Sequence, residues 1–267
     1  LFEWDPNNSV MDYYERALYN QIFGQQDQES GMVCYFTPML SGAYKFYSTP
    51  NDSYWCCVGT GFENHAKYGE SIYAHDSKNI YVNLFIASQL HWDEQKISII
   101  QHSDFPNADN TQLTIKQTSG KKWNLFIRKP HWAKKFHIYI NGKLTDSAIG
   151  ANGYCNINRK WKVGDKVKVT FEMEIKTITC QDDSNLTALT YGPIIIAEEV
   201  GKVEHPFSNP SIYNDYYTLK YNVPIGIDTS LSINEIASIH KLPAKFEFLT
   251  NTNKLLKPLY DIHHARY

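Results

Sequence analysis

The hydrophobic period of this chain changes once, and that change limits what it can fold into. Before about Asn79 apolar residues recur at helical spacing; after it they recur at every second position. Ile80, Val82, Leu84 and Ile86 alternate with Tyr81, Asn83 and Phe85. A period of two lines one face of a β-strand, because successive side chains point to opposite sides of a sheet. Further runs predict strands over 96–101, 112–116, 123–128 and 136–140. Asn141-Gly142 follows the last of these. It is a strong signal for a two-residue hairpin turn. Over 166–175, Val167, Val169, Phe171, Met173 and Ile175 fall on one face. Residues 186–198 read as a strand pair or one long strand, 200–242 as irregular, and 245–249 as a final modest strand. Short strands at regular spacing predict a β-sandwich.

Residues 1–73 read as helix and loop. Ser9-Val10-Met11-Asp12 fits a capping box, with Asp12 in place of the usual Glu. Tyr13, Tyr14, Ala17, Leu18, Gln21 and Ile22 then keep helical spacing, and Gly24 offers a C-terminal stop. A loop rich in Gly, Ser, Thr and Pro follows over 31–60. Phe62, Ala66, Gly69 and Ile72 predict a second helix that opens after Gly59 and Gly61.

The 267 residues correspond to about two domains at roughly 150 residues each. A balance of 26 Lys+Arg against 28 Asp+Glu argues against a nucleic-acid binder and against a polybasic membrane-surface protein. No apolar run approaches the ~20 residues of a membrane helix. The chain starts at Leu1 with no basic or apolar leader and stops inside an aromatic-rich stretch, which reads as a processed protein or a piece of a longer one. The five cysteines, Cys34, Cys56, Cys57, Cys155 and Cys180, cannot all pair internally and do not suggest a disulfide scaffold.

One segment carries chemistry. Trp55-Cys56-Cys57-Val58-Gly59-Thr60-Gly61 places adjacent thiols ahead of a predicted helix. A helix N-terminus favours a thiolate through its dipole and free N–H groups. Thiolates are also soft zinc ligands, although a closed site needs about four donors. Against this stands the commoner role of such a pair as buried small hydrophobes. Gly59-x-Gly61 lacks the Lys-Ser/Thr of a phosphate loop and the third Gly of a dinucleotide fingerprint. Glu63, His65, Lys67 and Glu70 read first as a solvated helix face, with His65 a weaker candidate ligand or base.

The same segment resembles the β-L-arabinofuranosidase group of glycoside hydrolase families 127 and 146. The resemblance rests on residues 12–20 (Asp-Tyr-Tyr-Glu-Arg-Ala-Leu-Tyr-Asn), 35–38 (Tyr-Phe-Thr-Pro), 47–50 (Tyr-Ser-Thr-Pro) and above all 55–73, from Trp55 through Cys56-Cys57 to Tyr73. Residues 81–86, 161–165 and 191–193 also fit. It implies an (α/α)6 barrel followed by β-sandwich domains. The implied division is the end of the catalytic barrel over 1–73, a β-sandwich over 74–200 and a second, partial β region over 201–267. It further implies a retaining, zinc-dependent glycosidase with Cys56 as nucleophile, Cys57 as a zinc ligand and Cys56 also touching zinc. The substrate would be an arabinose-containing plant glycan, and export to the bacterial periplasm or beyond would be usual.

The family's remaining zinc ligands and its acid/base Glu lie upstream of the helix at 12–20. No such motif precedes that helix here. The resemblance therefore implies an incomplete zinc site and a chain inactive on its own. Cys34 could substitute as a ligand only without support from the motif. Leu18, Ile22 and Phe62 would lack barrel partners, so association into oligomers is expected. The alternative reading is a non-catalytic carbohydrate-binding or scaffolding sandwich with structural cysteines. A Cys56/His65 hydrolase is disfavoured by their separation along a turn and helix.

Overall fold

The computed structural model describes all residues except 39–40, 147, 203–229 and 244. The chain forms two compact units, each assembled from two stretches. One comprises Leu1–Glu15 and Lys67–Glu174, the other Arg16–Ala66 and Ile175–Tyr267.

The first unit opens with helix α1, Asn8–Ala17, which runs into the second unit after Glu15. Its cap is not the expected one. Asn7 Oδ1 accepts from the backbone N–H of Ser9 at 3.0 Å, satisfying a first-turn donor. Asp12 is withdrawn from capping because its carboxylate pairs with Arg128 and His131. Asn8, Met11 and Glu15 form the buried face.

Strands β1 (Tyr73–His75), β2 (Asn79–Val82), β6 (Lys122–Arg128) and β9 (Tyr154–Lys160) form one sheet in the order β1-β2-β6-β9. Its β2–β6 pair is parallel. A six-stranded antiparallel sheet has the order β3-β4-β5-β10-β7-β8. Its members are β3 (Ser88–Trp92), β4 (Ile97–Ser103), β5 (Asn110–Gln117), β7 (Phe136–Ile140), β8 (Lys143–Leu144) and β10 (Lys166–Phe171). The core takes Ile80, Val82, Leu125 and Ile127 from the first sheet and Ile99, Leu113, Ile115, Val167 and Val169 from the second, all fully buried. This is the expected sandwich patterning. The hairpin at Asn141-Gly142 is present, with φ of 50° and 81° at the two residues.

Two expected strands are shorter. The alternation over 80–86 ends as a strand at Val82, because the N–H groups of Asn83 and Leu84 both turn to the carbonyl of Ile72. Leu84 and Phe85, neighbours in sequence, are then both buried, and Phe85 stacks on Phe171 at 5.1 Å. The run over 166–175 stops at Phe171, where pairing with β7 ends at Phe136. Ile175 begins a strand of the second unit.

In the second unit the chain passes from α1 through a π-type turn, Leu18–Ile22, into a tight turn, Phe23–Gln25. Gly24 is not a left-handed stop. It sits inside that turn, where a Cβ would lie 3.2 Å from the Cα of Tyr260. Helix α2 spans Cys56–Lys67, its last residue belonging to the first unit.

The principal sheet is antiparallel, in the order β11-β12-β13-β17-β16-β15. These strands are β11 (Ile175–Thr179), β12 (Thr187–Tyr191), β13 (Ile194–Glu198), β15 (His240–Lys241), β16 (Phe248–Leu249) and β17 (Leu255–Pro258). A two-stranded sheet pairs β14 (Val200–Lys202) with β18 (Ala265–Arg266). Residues 186–198 thus form a strand pair, turning at Gly192 with φ 59°. Residues 245–249 are not the last strand, since β17 and β18 follow. The expected irregularity over 200–242 is broken by β14, β15 and the short helix α3, Ile233–Ser238; 203–229 lie outside the described residues. Asn20 secures the turn to the sheet: its side chain donates to the carbonyl of Pro193 and accepts from the N–H of Ile195, each at 2.7 Å. Leu18, expected to lack partners, is only 2% exposed, covered within its own unit, whereas Phe62 remains exposed.

Candidate active site

Helix α2 opens at Cys56, three residues before Gly59 and five before Gly61, rather than after them. The carbonyl of Trp55 accepts from the N–H groups of Val58 at 3.1 Å and Gly59 at 3.3 Å, so Cys56 and Cys57 occupy the first turn. Gly61 is a packing position rather than a breaker. A Cβ there would come within 2.6 Å of Val33 Cγ1, so only glycine lets the helix lie this close. Val58 and Gly61 form the buried face, which leaves both cysteines exposed.

The two sulfurs lie 3.8 Å apart. Two thiolates each about 2.3 Å from one tetrahedral zinc would lie about 3.8 Å apart, so this pair fits two corners of such a site. The hydroxyl of Tyr35 is 3.3 Å from Cys56 Sγ. Tyr35 is held edge-to-face against Trp55 at 5.5 Å and against Phe36 at 4.5 Å. The Cys56 thiol is held below its ordinary range, first by the Tyr35 hydroxyl, then by Cys57 and by backbone N–H groups of the helix start. The same contact pushes the Tyr35 phenol upward. Stabilising the thiolate at the sulfur and the neutral hydroxyl beside it is the expected pairing of donor and acceptor.

The other candidates lie elsewhere. Cys34 is buried, and its thiol donates to the carbonyl of Phe36 at 3.0 Å. His65 is exposed and nine positions along α2 from Cys56, about 13 Å at helical rise. Among the described residues no group of three or more His, Cys, Asp or Glu side chains is placed to hold a metal ion. Also among the described residues, no helix is long and apolar enough to cross a membrane. Tyr35 is the site residue that residue-by-residue reading did not single out. Its signal was its place in the Tyr-Phe-Thr-Pro stretch, 21 positions before Cys56.

Comparison with known families resolves the lineage. Residues 1–70 match the model "Beta-L-arabinofuranosidase, GH127 catalytic domain", and residues 79–173 match "Beta-L-arabinofuranosidase, GH127 middle domain". Two domains of one family, in order, together account for more than half of the chain. The chain belongs to the GH127 family.

Solved structures agree. A GH127 β-L-arabinofuranosidase from Geobacillus stearothermophilus is 25% identical, with a TM-score of 0.64 over 74% of this chain and 34% of that one. A structure described as a GH127 β-arabinofuranosidase is 24% identical, with a TM-score of 0.67 over 74% of this chain and 34% of that one. Another, described as a glycoside hydrolase, is 21% identical, with a TM-score of 0.67 over 77% and 36%. The last two support the fold. The chain spans about a third of the length of these structures. No curated protein matches it. This GH127 chain thus combines a helical part matching the catalytic domain with the mainly antiparallel sheets that follow it.

Proposed function

We propose that this chain carries the nucleophile of a retaining β-L-arabinofuranosidase, with Cys56 attacking the sugar and Cys57 a zinc ligand. The observation that carries the reading is the placement of both sulfurs, 3.8 Å apart, on the first turn of α2 with the Tyr35 hydroxyl at Cys56. The Cys56 thiolate would attack the anomeric carbon of an arabinofuranoside. A C–S bond forms as the glycosidic C–O bond breaks, and a carboxylic acid protonates the leaving oxygen. Water, deprotonated by the resulting carboxylate, then displaces the sulfur, and two inversions give net retention. Zinc, when bound, would keep the sulfurs as thiolates at neutral pH. Cys56 and Cys57 would hold it.

The remaining ligands and the acid/base carboxylate are assigned to parts of the relatives' fold that this chain does not span. Residues 1–73 are read as the end of the catalytic barrel, 74–200 as the sandwich and 201–267 as a further β region. The catalytic-domain match over 1–70 and the start of the middle-domain match at 79 support the first boundary; the middle-domain match ends at 173, and residues 175–198 pair in the sheet of the second unit. The substrate class, an arabinose-containing glycan, follows the family name.

The test is a mechanism-based thiol trap. An electrophilic β-L-arabinofuranose analogue is incubated with the full chain, with and without zinc, and the modified peptide is mapped. Selective labelling of Cys56, abolished by Cys56→Ala and retained by Cys180→Ala, supports the reading. Labelling spread equally over the exposed cysteines overturns it. A chromogenic β-L-arabinofuranoside should be hydrolysed no faster by the chain alone than by buffer.

A further inference from the structure

We propose that the first unit carries a second sugar site, a shallow groove on the outer face of the six-stranded sheet that takes one or two units of a neutral carbohydrate. The groove has a volume of about 490 Å³. Its floor is built by strand register. His102 on β4 and Lys168 on β10 both stand directly opposite Gln112 on β5. The three side chains therefore form one row across three neighbouring strands, on one face of the sheet. Their odd-numbered neighbours Leu113, Val167 and Val169 point inward and are fully buried, which fixes the row as outward. Asn110 continues that outer face two positions from Gln112.

Among the described residues, the side chains of His102, Gln112 and Lys168 make no hydrogen bond or ion pair with the rest of the chain, whereas Ser103, Asp104 and Asn110 in the same groove each do. The row thus offers uncommitted donors and acceptors: a carboxamide with both, an imidazole with one of each, and an ammonium with donors alone. The charges balance, because Asp104 lines the same groove as Lys168. A neutral, polyhydroxylated ligand matches a balanced set of mixed donors and acceptors. A phosphate or a polyanion would meet the Asp104 carboxylate.

The wall is preorganised. The segment after β4 is anchored by Phe105, whose ring stacks on Trp132 at 5.6 Å and meets Phe171 edge-on at 5.4 Å. Ser103 Oγ donates to the carbonyl of Phe85 at 2.7 Å and accepts from the N–H of Phe105 at 3.2 Å. Ala87 and Ala108, both small residues, complete the lining. A fixed wall lowers the ordering cost of binding, which a shallow polar site needs.

Saturation-transfer NMR on the full chain tests this, with L-arabinose, cellobiose and inorganic phosphate as separate probes. The expected result is millimolar saturable binding of at least one sugar. Gln112→Ala and His102→Ala should each weaken it by about fivefold, the loss of a hydrogen bond to a neutral partner. Lys168→Met serves as the second variant if either fails to fold, as judged by the melting transition. Cys56→Ala should leave binding unchanged, which separates this groove from the thiol site. Binding lost in Cys56→Ala but kept in Gln112→Ala, binding of phosphate in place of sugar, or no saturable sugar binding would each overturn the proposal.

Discussion

Arg128 Nη2 donates to Glu15 Oε1 over 2.5 Å, and neither side chain is exposed to solvent. The pair is fully hydrogen-bonded: Trp132 Nε1 reaches the other carboxylate oxygen at 2.7 Å, and Arg128 Nε donates to the carbonyl of Asn83 at 2.6 Å. It ties α1 to the end of β6 within the first unit. Removing Arg128 strands the Glu15 charge in a dry site, whereas removing Glu15 leaves Arg128 with Asp12 as its remaining carboxylate. Arg128→Met should therefore cost about 3–5 kcal/mol of unfolding free energy, and Glu15→Ala less, because Arg128 keeps Asp12. The double variant should cost less than the two singles combined, by at least about 1 kcal/mol, because it leaves neither charge stranded. Urea unfolding of the four proteins measures the cycle. Simple additivity would mean the pair is not coupled.

How much of this was legible in sequence depends on the range of the interaction involved. β7 was read to the residue at 136–140, and the turn at Asn141-Gly142 with it, because alternation and a two-residue turn are local properties. The β2–β6 parallel pair was not, since nothing in either strand records which partner it meets. Asp12 looked like a capping residue, but Arg128, 116 positions away, claims its carboxylate. Cys56 and Cys57 could be proposed as a thiol site from their motif, whereas the Tyr35 contact with Cys56 depends on how the loop before α2 folds back. The start of α2 was missed for a related reason: glycines at 59 and 61 look alike in sequence and differ only in what lies across from them.

That difference is itself a prediction. Gly59 has open space where a Cβ would go, whereas at Gly61 the Cβ would meet Val33 at 2.6 Å. Gly59→Ala should stabilise the chain by up to about 1 kcal/mol, the helix-propensity gain of alanine over glycine. Gly61→Ala receives the same gain but forces α2 away from Val33, for a net loss of about 1–2 kcal/mol. Val33→Ala combined with Gly61→Ala should recover much of that loss. Thermal melts of the three variants decide it, and equal effects at 59 and 61 would contradict the packing role.

His263 sets a pH window in the second unit. Its Nδ1 meets the Tyr47 hydroxyl at 2.5 Å, and its buried Nε2 has no hydrogen-bond partner among the described residues. Burial, reinforced by the Lys45 ammonium, pushes its pKa down to about 4 from 6.5. The unfolded chain takes up this proton near pH 6.5, and the folded chain holds out until about pH 4. Between those values the unfolded state binds more protons, so stability rises with pH. The contribution is complete above pH 6.5 and is lost as pH falls towards 4. Subtracting the unfolding free energy of His263→Phe from that of the native chain isolates it from other groups. The difference should decline steadily from pH 7 to pH 4. A flat difference would show that His263 is not held neutral in the fold.

The thiol site predicts a graded reactivity. Nucleophilicity towards an alkylating agent follows the thiolate fraction, and Cys56 has its thiol lowered first by the Tyr35 hydroxyl. In metal-free buffer at pH 7, iodoacetamide should modify Cys56 faster than Cys180, which is also exposed and serves as an internal reference. Tyr35→Phe keeps the ring packed on Trp55 but deletes the hydroxyl, so it should slow Cys56 several-fold and leave Cys180 unchanged. Adding zinc should then protect Cys56 and Cys57 together, since their sulfurs are spaced for one ion, while Cys180 continues to react. Peptide mapping by mass spectrometry follows all three sites in one sample. Fast Cys56 alkylation without zinc protection would retain the nucleophile and remove the metal ligands from the proposed function. Protection without the Tyr35 effect would retain the metal ligands and leave the metal to activate the sulfur unaided.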